Sequence, residues 1–550
     1  MSKNLSSLSG RKGMKYNLFE ELGIAAQENG SPDEKEMERL CEEFLFGKAS
    51  LYGAASFYDF LKKDNAGKKV YWCNGSACMT AGTQEAVKEE LSKDFQKEEI
   101  GEICCLGRCY ENGAVQYKNQ NFSGLSADQI GPSLKKEKPK PDSYHVEHLG
   151  TPVLTADYGN IESYYQILIK ALQSSPEELL EELKISNLRG RGGAGFPIGF
   201  KIEACKNVSS DQKFIVCNAD EGDPGAYSDR YIMEQRPHSL LMGMIISGYI
   251  AGADWGVLYI RAEYPDSVRI IKEAIRELED RGYCGTNIMG TGFNFYFKAV
   301  KAQGSYVCGE ETALLSSLEG QRPEVRIRPP YPTEKGLFNK PTVVNNVETQ
   351  AAIPFIIQNG GHAYASIGNK PSTGTKLLSI DGFFNRPGVY EVDMGTPLKY
   401  LIHDIAGGFR KPVKAMHIGG PLGGLVPISA IEYLTIDFES FHKNGFLLGH
   451  ASIVCIPEDY PMIDYIQHLF EFTSHESCGK CFPCRLGAKR GAEMLEKASA
   501  GSYVVDRELM DDLLETLETG SLCALGGGLP LPVKNALQYF EEELSPYFKS

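Results

Sequence analysis

Two periods of apolar residues organise this chain. Met37, Leu40, Cys41, Phe44 and Leu45 recur at helical spacing and predict an amphipathic helix. Ser31-Pro32-Asp33-Glu34 precedes them and offers an N-cap, a proline at the first helical position and a capping-box glutamate. Strand-like runs follow at Lys69–Trp72 and Ala114–Tyr117. The segment LKKEKPKPDS (134–143) is charged, proline-rich and aperiodic, and reads as a linker. Beyond it, strand-like Phe214–Cys217 and Gly256–Ile260 alternate with helical Ser267–Glu279, an α/β pattern. Short β-like segments fill 375–440. From about 460 the pattern is helical, with Leu509, Met510, Leu513, Leu514 and Leu517 on one face. The most apolar stretch, Ser239–Ala253, is shorter than the ~20 residues a membrane span requires and predicts a buried helix.

At 550 residues the chain exceeds one core, so several domains are expected. A net charge of −15 argues against nucleic acid and anionic membrane surfaces as partners. Residues 1–20 show no apolar core or cleavage site of a secretory signal. The 15 cysteines are too sparse for a disulfide scaffold, and their clustering points to metal binding in a reducing compartment, with the cytoplasm as the expected location.

Two cysteine constellations carry chemistry. In ESCGKCFPCR, Cys478, Cys481 and Cys484 lie at three-residue intervals, and the only later cysteine is Cys523. Three close thiolates and one distant one suit a [4Fe–4S] cube, whereas zinc favours two separated Cys-x2-Cys knuckles. The second set is Cys73-x4-Cys78 with Cys105-x3-Cys109, in which Gly107 permits a tight loop. By spacing it suits [2Fe–2S] or zinc. Cys41, Cys104, Cys205, Cys217, Cys284, Cys308 and Cys455 read as small buried hydrophobes.

LRGRGGAGFPIGFK (188–201) contains G-x-G-x-x-G at Gly190, Gly192 and Gly195. A helical run precedes it and Pro197 follows, so it departs from the strand–loop–helix order of a dinucleotide fingerprint. Its glycines, with Arg189, Arg191 and Lys201, still describe backbone that can approach a phosphate, the alternative being a plain surface loop. CNADEGDPGAYSDR (217–230) and GSYVCGEETALLSSLEG (304–320) set carboxylates and glycines at strand ends, where open α/β sheets bind ligands or merely present solvated acids. KPTVVNNVET (340–349) adds Asn345 and Asn346, amides suited to a polar ring or hydroxyls.

The motifs GRGGAGFP, NADEGDPGA, GEETALLSSLEG, KPTVVNNVET and ESCGKCxPCR, in this order, resemble the NADH-binding flavoprotein subunit of respiratory complex I. The diaphorase subunits of NAD-dependent formate dehydrogenases and NAD-linked hydrogenases share them. LYGAASFYDF, Cys73-x4-Cys78 and CLGRC are similar to the thioredoxin-like [2Fe–2S] subunit that accompanies it. The resemblance implies a multidomain α/β protein. Its parts would be a helical segment with a thioredoxin-like ferredoxin domain (1–135), a linker (136–143) and a Rossmann-like FMN- and NAD(H)-binding domain (144–370). A β-grasp, ubiquitin-like domain (371–445) and a helical bundle with the [4Fe–4S] cluster (446–550) would complete it.

It further implies FMN, NAD(H), one [4Fe–4S] and one [2Fe–2S] cluster. Gly190, Gly192, Lys201, Asn218, Asp220, Gly309, Glu310, Asn345 and Asn346 would hold FMN, with Arg191, Glu221, Asp223 and Tyr306 beside them. Phe196 and Tyr331 would flank adenine, with Glu311 and Arg328 near its ribose. Ala204 stands where relatives often carry a phenylalanine. The implied function is a diaphorase passing a hydride between NAD(H) and FMN and single electrons to the clusters, so no protein group need act as catalytic acid or base. The partners would be other iron–sulfur subunits of a redox complex, with no nucleic acid and no membrane insertion. The alternatives are an electron-bifurcating or NADP(H)-linked version of the module, or an adaptor without flavin.

Overall fold

The computed structural model describes residues 10–549. Near its start, helix Glu34–Phe44 is capped by Asp33, whose carboxylate accepts from the Glu36 amide at 2.8 Å. The cap is therefore not Ser31, and Pro32 lies outside the helix: a charged acceptor next to the first turn also meets the helix dipole favourably. Leu40, Cys41 and Phe44 are buried, whereas Leu45 takes the left-handed C-cap position and is exposed.

A first sheet comprises β1 (Val70–Cys73), β2 (Ile100–Ile103), β3 (Val115–Tyr117) and β4 (Gln120–Phe122) in the order β2-β1-β3-β4. Only β1 and β2 run parallel. Val87 and Leu91 of helix Gln84–Asp94, and Ile130 and Leu134 of helix Ala127–Lys136, pack on Val70, Val115 and Phe122. This is a thioredoxin-like arrangement. The N-terminal helices do not join it. Leu18, Phe19, Leu22, Leu40 and Phe44 pack instead with Phe214, Val216, Val257 and Tyr259. The helical segment expected within 1–135 thus covers one face of the next sheet, because its apolar stripe has no other large apolar surface to meet.

After the linker comes β5 (His145–Leu149). A four-stranded sheet follows, with β6 (Phe214–Ala219), β7 (Trp255–Ile260), β8 (Tyr296–Lys301) and β9 (Thr342–Asn346), all parallel in the order β8-β7-β6-β9. Strand alternation divides its residues between two layers. Phe214 and Val216 meet the N-terminal helices, and Ile215 and Cys217 share a core with Leu241 and Ile245 of helix Pro237–Ala251, the helix foreseen from its unbroken apolar run.

A six-stranded mixed sheet adds β10 (Thr375–Ile380), β11 (Gly388–Asp393), β12 (Val413–Ile418), β13 (Gly424–Pro427) and β14 (Ser452–Pro457), ordered β13-β12-β14-β10-β11-β5. Two expected boundaries shift here. β5, placed by sequence with the nucleotide-binding domain, pairs in parallel with β11 as an edge strand. β14, assigned by sequence to the bundle, lies inside the sheet between β12 and β10, as its fully buried run SIVCIP requires. The helical region therefore begins at Met462, with helices Met462–Glu476, Ala488–Ser499, Arg507–Gly520 and Pro530–Tyr539. Met510, Leu514 and Leu517 face its core, and Leu509 is exposed. Among the described residues no helix is long and apolar enough to cross a membrane.

Candidate functional site

The strand order of the parallel sheet reverses between β6 and β9, where Cys217 pairs with Asn345 and Asn218 with Asn346. The carboxyl ends of two strands that lead in opposite directions leave a crevice, the usual ligand site of such sheets. The motifs read from sequence converge on it.

The glycine loop forms one wall. The Gly190 amide donates to the Phe196 carbonyl at 2.9 Å, and Pro197 caps helix Ile198–Lys206. The loop follows a helix, Pro176–Ser186, as the sequence suggested, but it also opens one, because Pro197 stands at the N-cap rather than interrupting the segment. A Cβ on Gly192 would lie 3.0 Å from the Asn346 side chain, and Gly193 has φ +117°. Arg191 departs from expectation. It is buried, its amide donates to Thr349 Oγ1 at 2.8 Å, and its guanidinium donates to the Tyr364 hydroxyl (3.1 Å) and the Thr373 carbonyl (2.6 Å). Buried charge needs partners, and these draw the side chain into the core.

Asn218 and Asp220 form the floor. Asn218 Nδ2 donates to the Gly309 carbonyl at 2.8 Å, and its Oδ1 accepts from the Asp220 amide at 3.2 Å. Asn346 is internally satisfied: its Oδ1 caps helix Val347–Ala351, and its Nδ2 donates to Asp229 at 2.5 Å. Asn345 Nδ2, Asp220 Oδ2 and Asp229 Oδ1 are buried with no hydrogen-bond partner among the described residues. Burial raises the Asp220 carboxyl well above the usual carboxylate range. Unsatisfied donors and acceptors beside a glycine wall fit a polar, ring-bearing ligand such as FMN.

The outer rim is charged and aromatic. Glu310 caps helix Glu311–Leu318, accepting from the Thr312 and Ala313 amides at 2.9 Å. Arg328 donates to Glu310 (2.6 Å) and Glu311 (3.0 Å), and Lys201 donates to Glu311 (2.9 Å) and the Val344 carbonyl (2.6 Å). Phe196 and Tyr331 are exposed large aromatics. So is Phe200, which shares a helix face with Ala204 one turn on and was not singled out by motif.

Each cysteine quartet reaches this crevice. Cys73, Cys78, Cys105 and Cys109 are buried, with the Cys105 and Cys109 sulfurs 3.4 Å apart. Gly107 has φ +64°, and a Cβ there would strike the Tyr264 ring at 2.5 Å. The loop is docked by the Gly225 amide, donating to Cys109 Sγ at 3.3 Å, and by Arg230, donating to the Gly107 carbonyl at 2.9 Å. Asp142 of the linker pairs with both Arg108 and Arg230. Buried Arg261 donates to the Glu221 carbonyl (2.6 Å) and the Cys104 carbonyl (3.0 Å). Cys104 itself packs at the margin of the cluster around Val307, Phe472 and Cys478.

On the other side, Cys478 and Cys484 share that cluster with Val307, Ala313 and Leu525, and Cys481 and Cys523 pack against it. Burial pushes the Cys484 thiol up to about 11, with Cys481 and Cys478 adding to the shift. Burial likewise pushes Cys523 up to about 12, with contributions from Glu310, Cys478 and Cys484. Two buried and two half-buried thiols crowded together suit a cluster that takes them as thiolates. Tyr306 connects this side to the crevice: its amide donates to Glu476 at 2.8 Å and its hydroxyl to Asp223 at 2.7 Å.

Motif reading missed Asp229, Arg261, Tyr264 and His450. Glu221 accepts from the Asp229 amide at 2.8 Å, the Arg230 amide at 3.0 Å and the Tyr264 hydroxyl at 3.3 Å. His450 lies 3.5 Å from Glu221 and 3.6 Å from Asp229. Asp229 could have been noted as an acid within the 217–230 segment, whereas His450 carries no motif.

A strand-end crevice flanked by two thiol quartets defines a flavin and iron–sulfur electron-transfer protein. Comparisons agree. Residues 183–355 match the Nuo51 FMN-binding domain, 464–547 the NADH-ubiquinone oxidoreductase-F iron–sulfur binding region, and 6–138 the thioredoxin-like [2Fe–2S] ferredoxin. The NADH-quinone oxidoreductase F-subunit 2 of Rhizobium meliloti is 41% identical over 69% of this chain and 91% of its own length. The NADP-reducing hydrogenase subunit HndC of Solidesulfovibrio fructosivorans is 42% identical over 69% of this chain and 78% of its own. A crystal structure of NAD+-reducing [NiFe]-hydrogenase in the H2-reduced state superposes with TM-score 0.86 and 27% identity, covering 97% of this chain and 93% of that one. The chain belongs to the family of NADH-quinone oxidoreductase F-subunits and carries a thioredoxin-like [2Fe–2S] domain ahead of its FMN-binding and [4Fe–4S] regions.

Proposed function

We propose that this chain is the NAD(H)-oxidising or -reducing diaphorase subunit of a larger redox complex with other iron–sulfur subunits, acting in the cytoplasm. The observation that carries the reading is the contact of both cysteine quartets with one crevice. Gly225 of the crevice loop donates to Cys109, and Tyr306 joins Asp223 of that loop to Glu476, beside the Cys478 set.

When bound, FMN would supply conversion between a two-electron hydride and single-electron transfers. The chain's residues position and insulate. The glycine loop at Gly190 and Gly192 admits a phosphate-bearing ligand, with Lys201 nearby. Asn218, Asp220, Asn345 and Gly309 are the groups that would meet polar ring edges and hydroxyls. Glu310 and Asn346 hold the ends of two helices against the crevice, Glu221, Asp223 and Tyr306 surround it, and Arg191 braces the loop. Phe196 and Tyr331 would flank an adenine, with Glu311 and Arg328 at its ribose. Cys73, Cys78, Cys105 and Cys109 would ligate [2Fe–2S], and Cys478, Cys481, Cys484 and Cys523 [4Fe–4S]. We read the sheet of β10–β14 as a β-grasp domain and the helices after Met462 as the cluster-bearing bundle.

The test is anaerobic reconstitution of the full chain with FMN, iron and sulfide. Acid-released flavin near one per chain, bleached by NADH before denaturation, is the expected result. Tight zinc in both quartets with no flavin would leave a structural adaptor instead.

A further inference from the structure

His450 belongs to no motif read above, yet it stands inside the crevice. The turn that carries it places Gly449 (φ +53°) and Ala451 (φ +67°) in the left-handed region on either side. Such a conformation is costly for alanine and is held only where the surroundings impose it. Here it delivers one imidazole from the start of the interior strand β14 to the carboxyl ends of the parallel sheet. A Cβ on Gly193 of the glycine loop would lie 4.0 Å from the His450 amide, so the turn abuts that wall directly.

The imidazole is 5% exposed, and neither ring nitrogen has a hydrogen-bond partner among the described residues. Its surroundings are acidic. Glu221 and Asp229 lie at 3.5 and 3.6 Å, and Asp223 acts on the same charge. Lys376, the nearby cation, is fully buried in an ion pair with Glu348. Arg261 donates to the Glu221 and Cys104 carbonyls and to Glu263, and to neither the Glu221 nor the Asp229 carboxylate. Two buried carboxylates with no cation opposite them would repel each other, and one would take up a proton.

We infer that His450 is a positioning residue of the flavin crevice: its imidazolium counters Glu221 and Asp229 and thereby governs when the crevice carries net negative charge. The inference rests on the flavin reading above. The electrostatics agree in sign. Burial works against the charged imidazole, but Asp229 and Glu221 outweigh it and hold His450 at about 9. Burial first, and Asp229 after it, raise Glu221, His450 opposes both, and the balance stands at about 7. Near neutral pH, then, Glu221 titrates while His450 stays charged, and removing the cation moves the Glu221 step upward. Because Asn346 donates to Asp229 and packs on Gly192, that charge is felt at the wall where the flavin would lie.

The three groups also offer one ligand atom each within 4.8 Å, a spacing open to a metal ion. Glu221, however, already accepts from two amides and the Tyr264 hydroxyl.

The test is the midpoint potential of the bound flavin, measured from pH 5.5 to 9 in the reconstituted full chain. The wild type should inflect near pH 7. His450→Gln should move that inflection up by about one pH unit or more, a tenfold or greater rise in proton affinity. Adding Asp229→Asn should bring it back, and Asp229→Asn alone should move it down, which keeps the test decisive if His450→Gln does not fold. An inflection that stays in place in the single variants, or that Asp229→Asn fails to restore, overturns the inference. So does a stoichiometric divalent metal that survives dialysis and is lost in His450→Gln. A wild type that binds no flavin overturns the reading of the crevice and this inference with it, whereas bound flavin with an unmoved inflection overturns this inference alone.

Discussion

At the residue scale, the rim of the crevice shows how few charges separate two dinucleotides. Arg328 would suit a 2′-phosphate, but its two terminal guanidinium nitrogens are engaged by Glu310 and Glu311. Glu311 also holds Lys201. A carboxylate here accepts from a ribose hydroxyl and repels a phosphate. Glu311→Gln should therefore raise the ratio of kcat/KM for NADPH to that for NADH by about tenfold, roughly 1.4 kcal/mol. Steady-state assays with an artificial acceptor measure it, and an unchanged ratio would place Glu311 away from the ribose. Several residues at this scale were legible in the sequence. Cys105, Gly107 and Cys109 could be chosen over Cys104 because a three-residue loop with a glycine wraps closely, and Gly107 does turn left-handed under Tyr264. Arg191 and His450 were not legible. A motif arginine can equally brace its own loop, and a histidine far along the chain shows its carboxylate neighbours only after two sheets have packed.

At the scale of elements, the strand runs were written plainly in apolar periodicity, while their partners were not. Strand pairing is non-local, and the run SIVCIP looks the same at the start of a bundle as between β12 and β10. The same holds for β5, whose exposed, polar His145–Leu149 carries little apolar signal and is fixed by ladder hydrogen bonds to β11. A buried ion pair is among the contacts that join the two large sheets. Lys376 of β10 pairs with Glu348 of the helix after β9, both side chains being fully buried. Glu348 also accepts from the Leu377 amide at 3.0 Å. Lys376→Met should destabilise the chain by about 3–5 kcal/mol, because it strands a buried carboxylate. Adding Glu348→Leu should recover much of that loss. Urea unfolding followed by far-UV circular dichroism reads both, and a single variant as stable as the wild type would show that the pair does not hold the sheets together.

For the whole molecule, fusion places three electron-transfer sites around one crevice without relying on subunit association. The N-terminal helices cover the parallel sheet, and the linker's Asp142 ties both Arg108 of the cysteine loop and Arg230 of the nucleotide domain. The thioredoxin-like domain is thereby anchored on two sides. That arrangement could not be read from LKKEKPKPDS, whose composition describes a flexible tether. Its carboxylate acquires meaning only against two buried guanidiniums.

We propose that electrons cross this crevice to a cluster held by Cys478, Cys481, Cys484 and Cys523. The most direct measurement is rapid-freeze EPR after anaerobic mixing with NADH, with flavin absorbance followed in parallel, on the wild type and Cys523→Ser. Flavin should bleach in both proteins, and a reduced [4Fe–4S] signal should appear in the wild type and be lost or altered in the variant. An unchanged [4Fe–4S] signal in Cys523→Ser, or a bleached wild-type flavin with no cluster signal at any time, would contradict it.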